Sequence, residues 1–105
     1  MSELCNRGST PTNTFRSNLD LRGATLFITY KQGNRTVIEH TGTDVTVTET
    51  TISTKLSQQE TLRFKDTDGV DIQIRYIFED GTSDSSNIIH TTVGRILKDG
   101  EIAYV

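Results

Sequence analysis

Residues 70–93, VDIQIRYIFEDGTSDSSNIIHTTV, decide the fold. Val70, Ile72, Ile74, Tyr76 and Phe78 alternate with Asp71, Gln73, Arg75 and Glu79, and Ile77 alone breaks the polar set. An apolar side chain at every second residue puts one face of an extended strand in a core and the other in water. Asp80-Gly81 then offers two residues that tolerate positive φ, as a tight hairpin requires. The segment therefore predicts a long strand, a tight turn and a return strand at the centre of a sheet. Ile89 and Val93 join the inward face, whereas Arg75, Ile77, Ile88 and His90 fall outward.

Upstream, the same period recurs in shorter runs. Residues 14–21 form a first strand with Phe15, Leu19 and Leu21 as contacts, and 24–31, ATLFITYK, a second. In the second, Leu26, Ile28 and Tyr30 share a face and Phe27 points away from it, toward an edge or an interface. Arg35–His40, the Val45/Val47 pair and the Ile52/Thr54/Leu56 set give three more strands. The many threonines suit a wet pleated face, because β-branched side chains prefer extended backbone. Ser57-Gln58-Gln59-Glu60 has the form of a capping box, with Ser57 and Glu60 each satisfying the other's backbone N–H. One helical turn near 57–64 follows, docked by Leu56, Leu62 and Phe64. The sum is an all-β, immunoglobulin-like sandwich of about seven or eight strands with one short helical turn.

Residues 1–13 read as an extended arm, loose or packed on the sandwich or on a neighbouring subunit, and 14–105 as a single domain ending in a C-terminal strand or tail. At 105 residues a chain buries roughly two-thirds of its unfolded surface without staples. Its 32% hydrophobic content and lack of tryptophan imply a lean core. The net charge of −3 disfavours a broad nucleic-acid surface, which needs clustered cations. No apolar run reaches transmembrane length and no signal-peptide core is present, so neither a membrane nor secretion is expected.

Few residues point to chemistry. The lone Cys5 excludes an intrachain disulfide. His40 and His90 are the only histidines, and neither stands in a metal-ligand spacing or beside a nucleophile elbow. The acidic loops Asp66/Asp68/Asp71 and Glu79/Asp80/Asp84 could offer oxygen ligands to calcium, but neither has the twelve-residue ligand pattern, and Asp-Gly is turn chemistry. No catalytic residue, metal site or cofactor is expected. The residues that a solvated sheet and tail would not need are Phe27, Arg75, Ile77, Ile88, His90, Ile102, Tyr104 and Val105, and they form the candidate interface.

Several segments resemble small proteins of tailed-phage and prophage genomes of Gram-positive gut bacteria. Arg7-Gly8-Ser9-Thr10-Pro11-Thr12 with Thr14-Phe15 resembles their "RGTTPT-x-TF" opening. Residues 56–64, LSQQETLRF, resemble their helix; 70–75, VDIQIR, a strand; and 93–100, VGRILKDG, their closing strand. The pattern is distantly similar to the immunoglobulin-like N-terminal domain of phage baseplate upper proteins, without that family's receptor-binding extension. The resemblance implies a non-enzymatic structural protein of a virion: a capsid decoration, neck, tail or baseplate accessory. It would bind other virion proteins through edge strands and termini, in many copies or as a homo-oligomer. The alternative is a soluble phage-encoded binder that inhibits a host defence protein.

Overall fold

A computed structural model describes residues 3–104. The chain is an all-β sandwich whose strands are β1 (Cys5–Asn6), β2 (Thr12–Arg16), β3 (Thr25–Gln32), β4 (Arg35–Thr41), β5 (Val45–Val47), β6 (Thr51–Lys55), β7 (Val70–Ile77), β8 (Ser83–Ser85), β9 (Ile89–Thr91) and β10 (Val93–Gly94). The helix α1 (Gln58–Thr61) lies between β6 and β7. One sheet has the order β2-β6-β5; the larger has β4-β3-β7-β8, with β9 also on β7. In immunoglobulin-like terms these are B-E-D and C′-C-F-G. The arm adds β1 parallel to β10.

β7 occupies the centre as its alternation predicts. Ile28 pairs with Ile74 and Tyr30 with Ile72, and all four are buried. Val70, Phe64, Leu56 and Ile52 complete the core with them, and the Tyr30 and Phe64 rings meet edge to face at 6.2 Å.

The hairpin differs from expectation at its turn and in its return limb. Gly81 alone has positive φ, at 90°, and Phe78 N–H donates to the Thr82 carbonyl, so the loop is three residues rather than two. Asp80 needs no left-handed backbone there, because its carboxylate accepts from Thr82 N–H instead. The return limb breaks after β8, where the Ser86 hydroxyl accepts from Ile74 N–H in place of a ladder carbonyl. Ile89, expected inside, pairs with the buried Ile72 yet is 40% exposed, because β9 is the sheet's edge.

Other boundaries shift for local reasons. The first long strand spans 12–16 rather than 14–21: Ser17 bonds the Leu19 carbonyl and turns the chain, leaving Leu19 exposed and Leu21 in the core. Residues 95–104 form no strand; the tail is irregular, bent at 97, 98 and 100, with Ile96 half-buried and Leu97 and Tyr104 bare. The arm packs on its own chain. Leu4 and Arg7 N–H groups donate to the Thr92 and Gly94 carbonyls, and Leu56 N–H to that of Pro11.

Replacing Ile74 by Asp should abolish cooperative unfolding, because an unpaired carboxylate would sit against Ile28 at a cost of several kcal/mol. Ile77→Asp, outward on the same strand, should change stability by no more than about 0.5 kcal/mol; urea denaturation followed by circular dichroism compares the two. Tyr30 provides a pH test. Burial pushes its phenol from 10.0 up to about 12, against the opposing hydrogen bond from Asn13. Above pH 10 the unfolded chain releases a proton that the fold retains until about 12, so stability should fall across that window. Near-ultraviolet absorbance should follow the Tyr30 phenol through that window.

Candidate functional site

The outward residues of the larger sheet come together as the period-two pattern requires. Phe27 on β3 lies directly opposite Arg75 on β7. With Thr29, Glu39, Tyr76, Ile77 and Ser83 they line a groove of about 370 Å³. A second groove of about 450 Å³ continues past Arg75 to Ile88, between Lys31, Asp71 and Gln73. Phe27, Ile77 and Ile88 are 38%, 44% and 51% exposed, apolar side chains set among the polar ones of the two grooves. Among the described residues no hydrogen bond or ion pair engages the Arg75 or Glu39 side chain. His90 lies on the same side, its Nδ1 2.5 Å from Asp71 Oδ1; this exposed pair contributes little stability. Ile102 and Tyr104 belong elsewhere, on the tail beside α1, and Val105 lies outside the described residues.

A second polar arrangement escaped the sequence. His40 is 5% exposed and bridges the sheets, with Nδ1 2.6 Å from Thr54 Oγ1 on β6 and Nε2 2.5 Å from Glu60 Oε2 on α1. Thr54 Oγ1 donates its proton to the Asp44 carbonyl at 2.8 Å. A hydroxyl has one proton to give, so Nδ1 must be the donor toward Thr54. Glu60 meanwhile closes the capping box: its Oε1 accepts from Ser57 N–H and its own N–H donates to Ser57 Oγ. Burial is the largest single influence on Glu60 and opposes ionisation. The Ser57 N–H and the His40 ring together outweigh it and hold the carboxyl below its ordinary value. The ring thus stands between the Glu60 carboxylate on one side and the Thr54 hydroxyl on the other. The signal was present in part: His40 shares the phase of the buried Ile38, and Ser57/Glu60 formed the predicted box.

A hydroxyl, an imidazole and a carboxylate in line suggest a nucleophile relay. The wiring opposes one here. Thr54 commits its proton to the Asp44 carbonyl, so the imidazole does not stand as its base, and Thr54 is 2% exposed, out of a substrate's reach. The network joins β4, β6 and α1.

Cys5 is half-buried, and burial pushes its thiol up, away from the reactive thiolate. Asp80, in the second acidic loop, is held low by the Thr82 N–H, which is turn chemistry. Among the described residues no three His, Cys, Asp or Glu side chains group as metal ligands, and no helix is long and apolar enough to cross a membrane.

The chain is thus an immunoglobulin-like all-β sandwich with exposed apolar side chains on one outer face, one buried histidine–carboxylate bridge and an exposed tail. No family model matches it, and no curated protein matches it significantly.

Glu60→Gln should destabilise the fold by about 1–3 kcal/mol, the cost of removing a charged partner from a nearly buried donor. The folded Glu60 titrates below its ordinary 4.5, so its contribution is full above that value and fades as pH falls through the lower folded one. Urea midpoints measured across the acid range should show that component in the native chain and not in the variant.

Proposed function

We propose that the protein is a non-enzymatic structural component of a tailed-phage virion that docks on other virion proteins in many copies. The observation that carries this reading is the outer sheet face, where Phe27, Ile77 and Ile88 surround an Arg75 with no partner among the described residues. Large apolar side chains exposed on one face of a small domain mark an interaction site, and an arginine among them is a frequent anchor. The resemblance of residues 7–15, 56–64, 70–75 and 93–100 to small phage proteins supports the setting. Docking then uses the sheet face and the tail more than strand addition at the β4, β5 and β8 edges. β5 and β8 are three residues each, and β4 is bulged where Val37 is inserted opposite Tyr30/Lys31; short and bulged edges resist pairing with another chain.

Mass spectrometry of purified particles should find the protein in many copies per virion; its absence there, with recovery of a host protein in a pull-down from infected cells, would favour the inhibitor alternative. Arg75→Glu and Phe27→Asp should leave the stability within about 0.5 kcal/mol while removing the protein from particles. Normal incorporation of both variants would exclude this face as the docking surface.

A further inference from the structure

Gln58 grips the tail by both halves of its amide. Its Nε2 donates to the Ile102 carbonyl at 2.9 Å, and its Oε1 accepts from Ile102 N–H at 3.0 Å. That double bond is the exchange two residues make across an antiparallel ladder, and it recognises extended backbone whatever the side chain. Gln58 is the first residue of α1. The capping box and the His40–Glu60 bridge hold α1 in place, so the clamp is formed before the tail arrives. It opens on a cleft of about 460 Å³ between Thr10, Asp44, Lys55 and Glu60, with Glu101 at the rim.

The tail gains little from being there. Ile102 remains 60% exposed, and Leu97 and Tyr104 are bare. Its upstream tie is Arg7 Nη1 to Asp99 Oδ1 at 3.4 Å, with Asp99 largely in solvent, and exposed ion pairs contribute little. Between the two ties lies Gly100, at φ +85° with open space around it, where the backbone turns freely.

We propose that the Gln58 clamp is an acceptor for an extended segment, and that its second occupant is residues 101–104 of another copy of this chain. The argument for that occupant is that the same sequence is already seated on the clamp. Exchange between copies remakes every existing contact, which is why swapped elements are an easy route to dimers. Two tails crossing at Gly100 bring their Ile102 and Tyr104 side chains to the seam between the copies, where each meets apolar surface it lacks within one chain. The inference deepens the multi-copy role proposed above, but it concerns the pure protein in solution. A chain missing from virions leaves it standing, and a chain that never self-associates leaves the virion role standing.

The test is sedimentation velocity on the full chain and on a variant lacking residues 98–99, which keeps Gly100. The shortened segment cannot return to its own clamp, a condition that promotes exchange, so this variant should be dimeric at concentrations at least tenfold below those at which the intact chain dimerises. Adding Gln58→Ala, or Ile102→Pro, which removes the N–H without touching α1, should return it to monomer. Amide spectra with β3 and β7 resonances unchanged establish that each variant is folded. A folded deletion variant that stays monomeric would overturn the proposal, as would a dimer that survives both substitutions.

Discussion

The pairing of β3 with β7, Thr25 opposite Ile77 through Lys31 opposite Asp71, is the constraint on which the rest of the molecule depends. It is antiparallel and in continuous register, so each cross-strand pair faces one side only. The even-numbered pairs, Leu26 with Tyr76, Ile28 with Ile74 and Tyr30 with Ile72, build the core. The odd-numbered pairs put Phe27 beside Arg75 on the outside. A one-residue slip would exchange the two sets, so the register that makes the core also makes the candidate docking face. β4 takes its register from β3, and β8 and β9 from β7.

The lean core is supplemented by polar bridges that are fully satisfied. Among the described residues no buried side-chain nitrogen or oxygen lacks a partner. Gln32 is buried yet holds the Lys65–Asp68 loop through both ends of its amide. Arg7 reaches from the arm to the Leu62 and Phe64 carbonyls behind α1 and pins the arm there. His40 joins a strand of the larger sheet to a strand of the smaller and to α1. Such contacts contribute modest net energy, but breaking one strands its partners, so they select one arrangement of the two sheets. They also support the tail clamp, because the residue that holds Ile102 is carried by the helix that His40 and Ser57 position.

Elements with a strong local signal were legible in the chain. β6 alternates cleanly, β3 and β7 do so but for Phe27 and Ile77, and the capping box at Ser57 and Glu60 formed as its spacing implies. Where expectation and structure part, a side chain had replaced backbone or an edge had replaced a neighbour. The Ser86 hydroxyl breaks the return strand, Ser17 ends β2 early, and Ile89 has the right phase but no strand beyond it. The outer-face residues could be named because they break phase. The His40 bridge and the Gln58 clamp could not, because their partners lie 14, 20 and 44 residues away along the chain.

By itself, then, the sequence determined an all-β chain, its central strand β7, the inner and outer sides of β3, β6 and β7 and the capped turn at 57–61. These follow from alternation and spacing, which act over a few residues and survive without knowledge of the neighbours. Only the tertiary structure decided that the arm completes the sandwich, that His40 is an internal tie, and that the tail is a clasped strap with its apolar residues in water. Each of those depends on which backbone and side-chain groups meet across the two sheets. Hydrogen-bond partners distant in the chain leave no periodic trace in it.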